Sequence, residues 1–329
     1  MSYIYNIHNI LSIKSSIELS LANSFTPPFD CFRINRDLEE YDLIISDNEH
    51  KKDWSTRYQK IAHGLFYSKE EDMIISDLCF FGLRMVWSIR NLFKKNTELR
   101  FNKFYNFFSK INKLPISAVY PLCLLIRNIL QIKLLLKGAT FIVGSAATFG
   151  KKGIIFAGIY GSGKTTTILN FMKYSQIKYL SNDLMIVSKD MLYGFPSLIP
   201  YRKYHFDLIS YHGFLNPLEE FQGRILSSFK DNFDIYFLEI SPAKFIKELP
   251  HEEGITKLCY FNNRIHSYFG ERALSSISYL YKEYSLLNMQ KKQWEILSNF
   301  FKDAHFYIIS GKNSMDYIEI LKKEKYTSL

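Results

Sequence analysis

Over the first hundred residues the apolar positions come in short runs rich in aromatic and β-branched side chains. These are Tyr3 to Ile7, Tyr41 to Ile45, Leu65 to Tyr67, Met73 to Ile75 and Met85 to Ile89, separated by polar clusters. Such runs predict strands, and together a small β-rich domain over residues 1–115. Thr26, Pro27, Pro28 and Phe29 mark a loop, and Asp47 to Asp53 forms a polar break. From Asn106 to Leu114 and from Ser117 to Lys137 the spacing turns helical, with Leu122, Ile126, Ile129, Leu130 and Leu134 on one broad face. A helix over residues 116–137 is therefore expected to connect two halves of the chain.

After Gly138 the pattern changes again. Ala139 to Val143 and Gly153 to Ala157 read as strands, a glycine-rich loop follows, and Lys164 to Tyr174 reads as a helix. A further strand is expected from Tyr179 and Leu180 with Leu184 to Val187. Ile235 to Ile240 is almost wholly apolar, as a central buried strand requires. Gly270 to Met289 and Lys291 to Phe301 look helical, and His305 to Ser310 is a strand before a closing helix, Ser314 to Lys323. Strands alternating with helices predict an α/β domain over residues 138–329 with a mostly buried sheet.

Composition narrows this only a little. At 329 residues the chain can bury two cores, and 47% apolar with 22% charged residues is ordinary for a globular protein. The net charge is 42 − 32 = +10, but no block of five like charges appears, so a solvated basic surface is expected and nucleic-acid binding is not. The most apolar stretch, Ala118 to Leu136, is interrupted by Arg127 and Lys133 and predicts a partly buried helix, not a membrane span. Cys31, Cys79, Cys123 and Cys259 have no metal-ligand spacing, and the N-terminus lacks an export signal. A cytoplasmic protein is expected.

The chemistry concentrates at Gly158, Ile159, Tyr160, Gly161, Ser162, Gly163, Lys164 and Thr165, which fit the eight-position phosphate loop (P-loop, or Walker A). Glycines let successive backbone N–H groups converge on phosphate oxygens, and the helix behind them adds its positive end. ATP is thus expected to bind Gly158, Tyr160, Gly161, Ser162, Gly163, Lys164, Thr165 and Thr166. Lys164 would reach the β- and γ-phosphates, and the Thr165 hydroxyl would hold Mg2+. Asp183, eighteen residues after Thr165 at a strand edge, is a second metal candidate, with a plain Asn182-Asp183 turn as the alternative.

From Leu134 to about Lys322 the order of elements resembles the HPr kinase/phosphorylase-like family. The resemblance rests on Gly144, Ser145 and Ala146 as a turn, the short strand into the phosphate loop, and Ser181-Asn182-Asp183. Phe195, Pro196 and Ser197 with Arg202 look like the family's proline-containing strand and basic residue. Within the family the chain is most similar to stand-alone forms with their own N-terminal β-rich domain, some encoded with small modified peptides. The resemblance implies a phosphate-loop domain shared in outline with ATP-dependent phosphoenolpyruvate carboxykinases, and phosphate transfer to a serine hydroxyl of a peptide or protein. It also implies that homo-oligomers can form. Two positions depart from the pattern: Val143 stands where family kinases place a histidine, and Asn182 replaces the first of two aspartates.

The expected function is ATP- and Mg2+-dependent phosphoryl transfer to a Ser or Thr hydroxyl, with Lys164, Asp183 and Arg202 as catalytic residues and the N-terminal domain recognising the acceptor. One alternative is a nucleotide-binding adaptor without turnover, favoured by Val143 and Asn182; another is nucleotidyl or carboxykinase-type transfer on a small metabolite. His205 and His212 are candidates to replace the missing histidine, and Lys203 could join Arg202 at the transferred phosphate. Arg264 and Arg272 read as structural, as do most aromatics, although Trp54, Trp87 and Trp294 could line a peptide groove. His63 has no partner at metal spacing.

Overall fold

The structure is a computed structural model that describes residues 2–20, 29–48, 54, 57–80, 82–110, 121–203, 211–267 and 271–326. Side chains at 80, 110, 200–203, 211–213, 263–267 and 271–275 lie outside that description. Contacts divide the chain into two compact units, residues 1–137 with 265–289 and residues 138–264 with 290–329.

The first unit is built on nine strands: β1 (Tyr3–Ile7), β2 (Leu11–Ser15), β3 (Arg33–Ile34), β4 (Leu43–Ser46), β5 (Gln59–Ala62), β6 (Leu65–Ser68), β7 (Met73–Phe80), β8 (Leu83–Arg90) and β9 (Thr97–Phe101). They form one sheet in the order β3-β1-β2-β4-β9-β8-β7-β6-β5. Its pairs are antiparallel except β2 with β4 and β4 with β9. The period-2 burial of β2, with Leu11, Ile13 and Ser15 inward, is the signature of a half-covered sheet. Two helices follow, α1 (Lys103–Lys110) and α2 (Leu122–Leu136). The strands are those the hydrophobic runs predict, with β2, β3, β5 and β9 in addition. The expected loop at Thr26 to Pro28, and residues 49–53 of the polar break, fall outside the described residues.

α2 is buried along most of its length and counts with the first unit. It carries Lys133, only 3% exposed, whose Nζ donates to the carbonyl of Lys94. Burial pulls its ammonium down to about 8, against partial support from Asp42. The unfolded chain holds that proton up to an ordinary lysine value, so it binds more protons than the folded chain at any pH between the two. Wild type should therefore gain stability relative to Lys133→Met as the pH rises from about 8 to about 10, by about 1 kcal/mol per pH unit. Urea unfolding of both proteins across that range measures the slope, and parallel curves would contradict it.

The second unit opens with β10 (Thr140–Val143), β11 (Ser145–Phe149) and β12 (Lys152–Ala157), then α3 (Lys164–Phe171), β13 (Ile177–Ser181), β14 (Leu184–Val187) and β15 (Leu192–Phe195). Next come β16 (Ile199–Lys203), β17 (Tyr211–Leu215), α4 (Pro217–Glu220), β18 (Ser228–Phe229), β19 (Asn232–Ile240), β20 (Phe245–Leu249) and α5 (His251–Ser267). α6 (Glu271–Leu280) belongs to the first unit, and α7 (Leu286–Phe300), β21 (His305–Gly311) and α8 (Ser314–Glu324) close the chain. Segment 265–289, which the sequence places in the second domain, counts with the first unit through aromatic contacts. Phe93 stacks on Tyr284 at 3.9 Å, and the Tyr281 hydroxyl donates to Asp72 at 2.6 Å.

The main sheet of the second unit runs β13-β11-β12-β19-β21-β20, with β12, β19 and β21 parallel. Side chains alternate across it. Ile154, Phe156, Tyr236 and Leu238 pack with α3 and α8 on one face, while Ile155, Ala157, Ile235 and Phe237 pack with α5 and α7 on the other. A sheet covered on both faces explains why β12 and β19 read as near-continuous apolar runs. A smaller antiparallel sheet, β10-β14-β15-β18, and the hairpin β16-β17 complete the unit. The single strand expected over Tyr179 to Val187 is two strands in different sheets, because the chain crosses over at Asn182 and Asp183.

Among the described residues no helix is long and apolar enough to cross a membrane, and none of the four cysteines forms a disulfide.

Candidate functional site

β12 ends at Ala157, and residues 158–163 loop into the N-terminus of α3. Gly158 has φ +157°, and a Cβ there would lie 2.6 Å from Ser162 Oγ and 3.2 Å from the Leu238 carbonyl, so the close fold of the loop requires glycine. Gly163 enters the helix at φ +88°, a left-handed conformation that a side chain would strain. Among the described residues, the backbone N–H groups of Tyr160, Gly161 and Gly163 donate to no backbone acceptor, and the first turn of α3 follows directly after them. Donors converging at a helix start form an anion-binding concavity.

The side chains add polar groups to the loop. Lys164 Nζ donates to the carbonyls of Gly158 at 2.9 Å and Ile159 at 2.8 Å, so the ammonium is folded back over the loop. Ser162 Oγ is buried without a hydrogen-bond partner among the described residues. Thr165 is half-buried and Thr166 exposed, and neither hydroxyl is engaged among the described residues, whereas Thr167 Oγ1 donates to the Gly163 carbonyl at 2.9 Å. Tyr160, 89% exposed, stands at the loop's open tip.

Two chain crossings lie beside the C-terminal end of β12. At Gly144 the chain leaves β10 for β11 and the main sheet, and at Asn182 and Asp183 it leaves β13 for β14. They are joined: Gly144 N–H donates to the Asp183 carbonyl at 3.0 Å, and Ser145 Oγ donates to the Asn182 carbonyl at 2.8 Å. Ser145 in turn pairs with Phe156, one residue before the end of β12. A Cβ on Gly144 would lie 2.9 Å from the Phe156 carbonyl, which is why this crossing needs glycine. Gly144 alone makes the expected Gly144-Ser145-Ala146 turn, since Ser145 and Ala146 already lie in β11.

The paired crossings bring Asp183 to the same end of the sheet as the phosphate loop. Its side chain is half-buried and accepts no hydrogen bond among the described residues. Its neighbour Asn182 is buried, and its Oδ1 accepts from Ser197 Oγ at 2.9 Å. Asn182 is thus a packing residue turned away from solvent. Val143 is half-buried at the end of β10, and its N–H donates to Asn262 Oδ1 at 2.8 Å.

Arg202 lies in β16 directly opposite His212 of β17, but the side chains of both, and of Lys203, are outside the described residues, as is His205. The side chains of Arg264 and Arg272 are outside them too. Trp54 and Trp87 are buried, and Trp294 is 39% exposed.

Glu239, not singled out from the sequence, lies beside the loop. Ala157 pairs with Phe237, so Leu238 and Glu239 continue β19 alongside the start of the loop. The Glu239 carboxylate meets Lys257 Nζ at 2.8 Å and remains 44% exposed. Ile235 to Ile240 reads as an apolar strand, but only its parallel pairing with β12 brings the acidic residue near its end beside the loop.

No protein-family model matches the chain, and no curated protein sequence matches it. Among solved structures, the HPr(Ser) kinase/phosphatase from Coxiella burnetii aligns over 33% of this chain and 71% of its own, with 12% identity and a TM-score of 0.23.

Proposed function

We propose that the chain binds ATP with Mg2+ at the phosphate loop and transfers the γ-phosphoryl group to a Ser or Thr hydroxyl of a peptide or protein. The observation that supports this reading is the loop itself, in which the N–H groups of Tyr160, Gly161 and Gly163 have no backbone acceptor among the described residues and lie next to a helix start and Lys164. The residues also fit the metal: the unengaged Thr165 hydroxyl and the Asp183 carboxylate would hold Mg2+, with Glu239 as a further carboxylate nearby. When bound, that ion supplies charge neutralisation at the phosphates.

In this reading the backbone from Tyr160 to Thr165 holds the triphosphate. Lys164 leaves the carbonyls of Gly158 and Ile159 and compensates charge developing on the phosphate oxygens. The acceptor oxygen bonds to the γ-phosphorus, the bond to the β,γ-bridging oxygen breaks, and ADP leaves. Asp183 takes the hydroxyl proton. Late proton loss suffices in phosphoryl transfer, so a histidine at position 143 is not essential. The first unit is assigned acceptor recognition, Arg202 contact with the transferred phosphate, and the whole protein a cytoplasmic location.

A second reading is favoured by Val143 and by the buried, Ser197-bound Asn182: a nucleotide-dependent adaptor that holds ATP without turning it over. Phosphorus NMR of Mg-ATP with the protein separates the two. ADP with phosphate or phosphoprotein supports transfer, unchanged ATP with broadened lines supports the adaptor, and AMP with pyrophosphate contradicts both in favour of nucleotidyl transfer.

A further inference from the structure

The sheet of the first unit carries a polar cavity of about 290 Å³. Register fixes its floor. Ser88 lies opposite Arg100, and Arg90 lies opposite both Glu98 and Met73, so these side chains share one face of β7, β8 and β9. The wall is aromatic: Trp54 and Tyr58 stand 5.4 Å apart, both buried, and pack with Met73, Ile75 and Val86. Arg57 sits at the rim with its guanidinium 5.7 Å from the Tyr58 ring.

Three arginines face two carboxylates here. Glu71 Oε1 meets Arg57 at 2.8 Å and the Tyr58 hydroxyl at 2.9 Å, and its Oε2 meets Arg90. Glu98 meets Arg100 at 2.7 Å. Burial pushes the Glu71 carboxyl up, but the Tyr58 hydroxyl and the two arginines outweigh it and hold the group below its usual range. The cavity is therefore a charged site of net +1, not a proton switch. Among the described residues each guanidinium meets its carboxylate through one terminal nitrogen, leaving other N–H donors of its fork for a ligand. The arginine side chains remain 70%, 38% and 46% exposed.

Arg90 and Arg100 are diagonal neighbours on adjacent strands, which places them about 7–8 Å apart at the backbone. That matches alternate residues of an extended peptide, spaced about 7 Å. We propose that this cavity binds an acidic peptide segment in extended form, with carboxylates at alternating positions on Arg90 and Arg100 and with Arg57 completing the contact at the rim. Binding here does not depend on the phosphate loop or on nucleotide.

The test is fluorescence anisotropy of a fluorescein-labelled decapeptide of alternating Glu and Ser, titrated with the full chain without nucleotide at low salt. Arg57→Ala and Arg100→Ala should each weaken binding about ten-fold without changing the melting curve. Lys95→Ala removes the same charge from an exposed pair with Glu40 outside the cavity and should weaken binding less than about two-fold. The alternating Gln peptide should not bind measurably. Equal losses in all three variants, equal binding of the Gln peptide, absence of binding, or displacement by inorganic phosphate at lower concentration than the peptide would each overturn the proposal.

Discussion

Lys164→Ala should lower ADP formation from Mg-ATP about 10³-fold, the scale seen when a preorganised charge-stabilising group is removed. Two roles compete at this residue. In the free protein its Nζ is bound by the carbonyls of Gly158 and Ile159 and braces the loop. In the proposed reaction it releases them to meet phosphate oxygens. Losing two partly exposed hydrogen bonds costs about 1 kcal/mol each at most, a small shift in melting temperature for a chain of this size. Losing a cation against a developing phosphate charge costs several times more. The activity loss should therefore far exceed the stability loss, and calorimetry of the variant beside its steady-state rate makes that comparison. A variant that unfolds, or one that keeps its rate, would place Lys164 in the structure of the loop alone.

The loop was readable because its determinants are contiguous. Glycine conformations, a strand before and a helix after lie within about twenty residues, and the alternating cores on the two faces of β12 follow from its own side chains. What could not be read depended on distant partners. β13 and β14 look like one strand until Gly144 and Ser145 bind the carbonyls of Asp183 and Asn182 and turn the chain into the second sheet. α5 lacks a clear helical signal partly because Gly254 sits in its first turns. A Cβ there would lie 2.1 Å from the Phe306 ring, so tertiary packing selects a poor helix former. β20 is an edge strand whose mostly exposed face mixes Lys247 and Glu248 with apolar residues, which blurs the alternation. The destination of segment 265–289 is set by Phe93, Tyr67 and Asp72, more than 170 residues earlier in sequence. Glu239 was hidden in the same way, since only the pairing of β19 with β12 brings it beside the loop.

Asp183→Asn should reduce turnover about 10²-fold while leaving nucleotide binding within about three-fold of wild type. The substitution keeps the shape of the side chain and leaves the backbone carbonyl that accepts from Gly144, so the crossing between the two sheets is retained. What it removes is the carboxylate at the loop end of the sheet that no hydrogen bond occupies among the described residues. Asn182 cannot substitute for it, because its side-chain oxygen is buried and already accepts from Ser197. If Asp183 takes the acceptor's proton and shares the metal, the rate falls and more Mg2+ is needed for half-maximal rate, with the affinity for metal-free ATP unchanged. Glu239→Gln separates those two roles: as a metal neighbour only, it should raise the Mg2+ requirement and lower the maximal rate by less than Asp183→Asn. An Asp183→Asn protein with an unchanged rate and Mg2+ requirement would show that the carboxylate serves neither role.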